Sequence, residues 1–347
     1  MNKRFTALLL AFTVALASVS AQSSFTEAKA KIAEHLNNFS QTMLSAIPQA
    51  ATQQNVWADA YIGNVFPSAP PHFGGGLSFG GTMFDFRDLK AGAKSMSDMA
   101  NTLTGETVSG FDTSFLPDNF FLPVATVDLR IGGVFLPFDV GLCILFTNTE
   151  SFQNDVSDLP NLTANLPVSA VPGMSMDYVM IGGDIRYCVY QGSLIMPKIS
   201  VGAGFYYTKA AFCINTGSSD TKAKMNFSFE SKTLFLQAQA SKKILFLDIF
   251  VGARGIISCS TDGWYWGIWK DFYGSTYGTD DTGVCNSGGG ANAQFDFANI
   301  QPQIYAGVGL KFLCFELDAS ICADVSSGFK DTTGFIWSGA LSLHASL

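Results

Sequence analysis

The chain has 347 residues and a formal net charge of −8, with 48% hydrophobic but only 14% charged residues. That length suits one large domain or two small ones, and the acidic balance excludes nucleic acid as a partner. The 34 glycines and 31 phenylalanines favour sheets over helices.

Lys3 and Arg4 precede an apolar run, Phe5–Ala17, and Val19-Ser20-Ala21 places small residues before Gln22. This three-part layout reads as a secretory signal peptide over residues 1–21, with an apolar run too short to span a bilayer. No cysteine follows that site, which argues against a lipoprotein. Beyond it no apolar run approaches the ~20 residues of a membrane helix. An exported chain of this kind is secreted, periplasmic, or a β-barrel in an outer membrane.

Residues 22–70 read as an N-terminal helical and extended segment and 71–347 as the barrel. In Ser24–Ile47 the residues Phe25, Ala28, Ile32, Leu36, Phe39, Met43 and Ile47 form one apolar stripe. Ser24 and Glu27 have capping-box spacing, and Pro48 is expected to end the helix. Such a helix either plugs or covers a barrel or packs on its body. Trp57–Phe66 follows as a short extended segment, and Pro67, Pro70 and Pro71 separate it from a glycine-rich strand, Phe73–Phe86. Arg87–Asn119 reads as loop, with a helical turn near Ser95–Leu103.

From Leu122 the pattern alternates with period two, the mark of strands with one apolar and one polar face. In Leu122–Ile131, Val127, Leu129 and Ile131 oppose Thr126, Asp128 and Arg130. Leu136–Thr147 follows a tight turn, then a polar loop runs to about Gly173. The hairpin Met176–Thr208 sets Ile181, Ile185 and Tyr187 against Asp184 and Arg186, and Val201, Phe205 and Tyr207 against Lys198 and Ser200. Met225–Ala240 and Ile244–Ser258 form the next pair, and a loop is expected from Thr261 to about Asn292. Phe295–Leu310, Leu313–Val325 and Thr333–Leu347 complete the series.

Short turns and long loops alternate, as the periplasmic turns and extracellular loops of outer-membrane barrels do. The fold expected is a closed antiparallel transmembrane β-barrel of about ten strands, with about twelve to fourteen as the alternative. Odd residues of Phe335–Leu347 should face lipid and even ones the lumen. The passages IGGDIRYCVYQGSLIMPKISVGAGFYYT (181–208) and IQPQIYAGVGLKFLCFELDASI (300–321) resemble hairpins of spirochaete-type outer-membrane β-barrel proteins. The helix-then-barrel order more distantly resembles the fatty-acid transporter barrels. The resemblance implies outer-membrane lipid and the barrel-insertion machinery as partners; the alternating final strand is similar to the signal which that machinery reads.

The polar faces collect Asp128, Arg130, Asp139, Asp184, Arg186, Lys198, Asp248, Arg254, Glu316, Asp318 and Asp324. Burial demands that such charges pair, so an interior ion network is expected, with a cation-preferring lining as the functional alternative. Thr261–Gly274 concentrates Trp264, Tyr265, Trp266 and Trp269 in an aromatic surface loop that serves as girdle, packing element or ligand contact. Seven cysteines lack zinc spacing and read as small buried residues. The three histidines form no metal-spaced pair, and no G-x-S-x-G elbow occurs. Neither enzyme activity nor a cofactor or metal is expected. The function expected is passive or facilitated passage of small or hydrophobic solutes. A surface-exposed adhesin or structural barrel, with a host surface ligand, is the alternative.

Overall fold

A computed structural model describes residues 3–53, 56–63, 71–104, 116–133, 137–146, 174–217, 221–272, 275–287, 293–295, 297–327 and 334–346. The polar loop expected before Gly173 and the last residue, Leu347, lie outside these.

The chain begins with α1 (Lys3–Gln53), followed by β1 (His72–Asp85) and α2 (Arg87–Thr104). The strands β2 (Asn119–Gly132), β3 (Phe138–Phe146), β4 (Met174–Tyr190), β5 (Lys198–Gly217), β6 (Thr221–Ile244) and β7 (Leu247–Phe272) come next. β8 (Ser275–Asn286), β9 (Gln301–Phe312), β10 (Phe315–Asp324) and β11 (Trp337–Ser346) complete the chain. Ten strands close an antiparallel barrel in the order β6-β5-β4-β3-β2-β1-β11-β10-β9-β7, with β6 pairing β7. β8 pairs only the upper half of β7, Thr261–Phe272, while the lower half, Leu247–Ile256, pairs β9.

Closure leaves every strand with one face outward and one inward. Leu341 and Leu343 are 60% and 50% exposed, while Ser338, Ser342 and His344 at the even positions are buried. The same parity sets Leu129, Ile185, Val201, Ile249 and Leu317 outward in an apolar belt, opposite a polar lumen. Aqueous burial would leave that belt uncovered; a bilayer covers it, so the chain is a transmembrane barrel. No helix among the described residues is long and apolar enough to cross a membrane.

On β6 the outward residues turn polar at Lys232, Glu230 and Ser228, and on β5 at Lys209. The hairpin β6–β7 therefore rises well above the belt at the long-loop end, and β7 from Thr261 upward stands clear of it with β8. Within the stretch expected to be a loop, Thr261–Phe272 and Ser275–Asn286 are strand. Gly263, Gly267, Gly278 and Gly283 made it look irregular, but Trp264, Trp266 and Ile268 alternate inward along β7. Cys285, expected in a loop, lies on β8.

Two further expectations are corrected. Pro48 does not end α1, which continues to Gln53. Proline's fixed φ is helical, and what it removes is one backbone donor. Burial of the surrounding turn holds the chain in place, and Thr52 Oγ1 donates to the Pro48 carbonyl at 3.1 Å. The loop Arg87–Asn119 contains α2, whose first turn is capped where the Arg87 amide donates to Asp85 Oδ1 at 2.9 Å.

Candidate functional site: the filled lumen

From Phe39 to Gln53 the helix is buried on nearly its whole circumference, unlike the one-sided burial of a surface helix. Its partners come from around the barrel. Ile32, Leu36, Phe39, Met43 and Ile47 pack on inward residues such as Phe86, Phe120, Phe212 and Phe227. Phe39 meets Phe86 edge-on at 5.4 Å and Phe227 at 4.9 Å. α2 closes over this apolar chamber with Leu89, Ala93, Met96 and Met99. Small inward residues, Ser78, Thr82, Ser338 and Ser342, leave room for a helix about 10–12 Å across.

The helix enters at the long-loop end. Lys29 Nζ reaches the Asp280 carbonyl on β8 at 3.0 Å, and Trp264 Nε1 donates to Asn37 Oδ1 at 2.7 Å. Lower down, Gln49 donates to Ser338 and Gln53 to Ser320. At the C-terminus, Arg254 Nη1 donates to the Thr52 carbonyl at 2.7 Å. A cation there satisfies an otherwise orphaned carbonyl and opposes the negative end of the helix dipole. Arg254 is held between the rings of Phe235 and Tyr305, 5.0 and 5.1 Å away, and by Gln237.

Beyond the helix, Val56–Gly63 continues down the lumen as irregular, bent chain, and wall side chains take up its backbone groups. Gln239 Nε2 donates to the Trp57 carbonyl, and the Ala60 amide donates to Ser241 Oγ. The Ile62 amide donates to Asp139 Oδ2, and Gln191 reaches the Gly63 carbonyl. Trp57 stacks on His344 at 4.0 Å between centroids and 10° between planes. Gly74 and Gly76 on β1 leave space for this stack: an added Cβ would lie 2.6 Å from Trp57 and 2.3 Å from His344.

The lumen charges form separate clusters and not the single network expected, with Asp128 apart from Arg130, Asp184 and Arg186. In the first, Arg130 bridges Asp139 at 2.6 Å and Asp184 at 2.7 Å, and Arg186 makes two parallel 2.8 Å bonds to Asp139. Arg186 also donates to the Asp59 carbonyl. Two cations thus face two anions with almost no solvent contact, the condition under which buried ions are tolerated. In the second, His344 lies between Asp318 at 2.7 Å and Asp128 at 3.2 Å. Carboxylates only accept, so both ring nitrogens donate and the ring is an imidazolium. In the third, Lys198 Nζ meets Asp59 Oδ1 at 2.6 Å and the Tyr61 carbonyl. Asp248 lines a polar crevice of about 300 Å³ at the short-turn mouth with Asp59, Lys198, Lys242 and Lys243. Glu316 is buried close to Gly309. Asp324 is not part of these clusters; it accepts from the Ser326 and Ser327 amides and shapes the turn after β10.

Trp57, Asp59 and Tyr61 are the lumen residues that sequence reasoning missed. WADAYIG was read as a short strand or extended segment, but nearly every residue of it is buried within the barrel, which leaves no period to detect. The aromatic group divides by parity. Trp264 and Trp266 turn inward toward α1 and are buried, whereas Tyr265 and Trp269 turn outward and stack on each other at 6.3 Å.

Asp262, above the lipid belt on β7, is buried close to Ser40 of α1. Burial pushes its carboxyl up to about 7, and Ser40 and the Ser228 backbone offset this only in part. An unfolded aspartate ionises near pH ~4. The folded pKa is raised, so the stabilisation is complete below about pH 4 and is lost as the pH rises to about 7. The urea midpoint should therefore fall between about pH 5 and pH 8, and Asp262→Asn should flatten the curve. A wild-type midpoint level across that range would refute this.

No protein-family model matches the sequence, and no curated protein matches it. Among solved structures the chain is similar to the β domain of the Bordetella autotransporter BrkA, at 9% identity and TM-score 0.35, covering 79% of this chain and 98% of that one. It is also similar to the translocator domain of autotransporter NalP from Neisseria meningitidis, at 9% identity and TM-score 0.36, covering 80% and 89%. A Pseudomonas aeruginosa FadL homologue matches at 9% identity and TM-score 0.26, covering 85% and 97%.

Proposed function

We propose that this protein is a bacterial outer-membrane barrel held shut by its own N-terminal segment, and that it acts at the cell exterior as a surface-exposed binding or structural barrel. One observation carries this reading: Phe39–Gln53 and Val56–Gly63 fill the lumen between its two ends and are bonded to the wall throughout. Free diffusion needs a water-filled path, and Arg130, Arg186, Asp139, Asp184, His344, Asp128 and Asp318 are paired across the lumen instead of lining one. The raised crest of β6, β7 and β8 offers Tyr265 and Trp269 as half-buried, outward-facing aromatics for a host surface ligand. Its other partners are outer-membrane lipid and the barrel-insertion machinery, and no catalytic role or cofactor is assigned.

Purified protein in planar bilayers should be electrically silent. A steady open conductance in the wild type would overturn the reading. If the crest binds a surface ligand, Tyr265→Ser/Trp269→Ser should abolish cell adhesion and leave heat-modifiable migration of the folded barrel unchanged. A second reading, passage of a small or hydrophobic solute, is favoured by the apolar upper chamber around Phe39. It requires α1 to move, and substrate-dependent uptake by intact cells would support it.

A further inference from the structure

Turns at the short-turn end would stand in water if the barrel projected from the membrane, and water-exposed turns are built from Gly, Asn, Asp and Pro. Here they are not. Leu194 is 96% exposed at the tip between β4 and β5, Leu245 85% between β6 and β7, and Leu313 83% between β9 and β10. Phe246 and Phe312 stand beside them, also exposed. Leu245 and Leu313 have φ of 60° and 56°, a conformation that disfavours leucine and suits glycine or asparagine. Two separate hairpins thus place a large apolar side chain at a strained position, where a polar residue would fit the backbone better.

The third tip is held rigidly. Lys242 Nζ donates to the Ser193 and Leu194 carbonyls, both at 2.7 Å, and to the Met196 carbonyl at 3.3 Å. The Ser193 amide donates to the Met196 carbonyl at 3.0 Å. The turn's polar groups face inward onto each other, and Leu194 and Ile195 are left outward.

We infer that the short-turn rim is immersed in the adjoining lipid leaflet, its leucine tips at the hydrocarbon edge. Continuity with the lipid belt identifies the occupant. The outward residues Leu317 and Phe315 on β10, and Leu310 and Phe312 on β9, carry the belt without a break into the turn at Leu313. Length argues the same way. β10 has 10 residues and starts directly at its turn; a tilted strand needs about 9–11 to cross the hydrocarbon core. A turn standing clear in water would leave β10 too short to cross.

The test uses the full chain refolded into phosphatidylcholine vesicles, with Leu245→Trp and Leu313→Trp read as differences from the wild-type emission. Immersion predicts blue-shifted added emission, at least halved by lipid brominated on its acyl chains and little changed by acrylamide. Added emission quenched by acrylamide overturns it, as does buried emission insensitive to brominated lipid, which would assign the rim to a second copy. Leu245→Asn/Leu313→Asn gives an independent sign. Asparagine suits the turn backbone, so rims in water would make this variant more resistant to unfolding in vesicles. Immersed rims make it less resistant, and a raised midpoint sinks the proposal.

Discussion

Arg186→Leu is expected to lower barrel stability by about 3–5 kcal/mol, the range for removing one partner of a fully buried ion pair. The side chain is 1% exposed and makes two parallel bonds to Asp139 and one to the Asp59 carbonyl. Leucine fills part of the space but leaves Asp139 with one guanidinium, that of Arg130, which Asp184 shares. Arg186→Lys should fall between wild type and leucine, because an ammonium keeps the charge but cannot match both carboxylate oxygens. Adding Asp139→Asn to Arg186→Leu should recover part of the loss, since it removes the carboxylate left in excess. Urea midpoints in detergent, measured on all variants, decide this; a leucine variant with the wild-type midpoint would show that the cluster contributes nothing.

That cluster shows what the sequence could and could not reveal. Period-two alternation identified which residues turn inward, so Arg130, Asp139, Asp184 and Arg186 were legible as lumen charges. Their partners were not legible, because pairing depends on strand register. Asp139 stands opposite Arg186 in the β3–β4 pairing and Gly132 stands opposite Asp139 in the β2–β3 pairing. A shift of two residues in either pairing preserves every inward face and changes every partner. His344 was assigned to the lumen face correctly, but its place between Asp128 and Asp318 requires β2, β10 and β11 to be brought together by closure.

The N-terminal segment was half legible for a related reason. A single apolar stripe on Ser24–Ile47 predicted a docked helix, and Ile32, Leu36 and Phe39 do dock. Below Phe39 the helix is surrounded, and a surrounded helix needs polar groups wherever the wall is polar. Gln49, Thr52 and Gln53 are buried for that purpose. In the sequence they look like the end of an amphipathic helix, which is why Pro48 passed for a stop.

Deleting residues 24–63 is expected to turn an electrically silent barrel into a conducting one. The segment contributes nothing to the ladder, since β1 begins at His72 and closure runs through β1–β11, β1–β2 and β6–β7. Strand pairing and lipid contact are therefore retained, although the loss of apolar packing around Phe39 lowers stability. At mid-height the emptied lumen is faced by Ser78, Thr82, Ser338 and Ser342, too small to fill the space of a helix, and Phe120, Phe212, Phe227 and α2 lose the helix face they packed on. The lower lumen keeps Asp128, Asp139, Asp184, Asp248, Glu316 and Asp318 against Arg130, Arg186, Arg254, Lys198 and His344. Lys198 is freed from Asp59 but stays at the mouth, and Arg254 loses the Thr52 carbonyl. With Lys242 and Lys243 at the mouth the two signs nearly balance, so the opened path should show at most a weak ion preference, and reversal potentials in a salt gradient read this directly. A narrower variant separates unplugging from general disruption. Ile32→Asp/Leu36→Asp places charges against Leu89 and Met96 of α2, and leaves the Val56–Gly63 contacts untouched. It should loosen the top of α1 and expose it to protease while the barrel stays electrically closed at its lower half. A deletion protein that folds, by heat-modifiable migration, yet remains silent would mean that the wall closes on itself, and the segment would then be packing and not a seal.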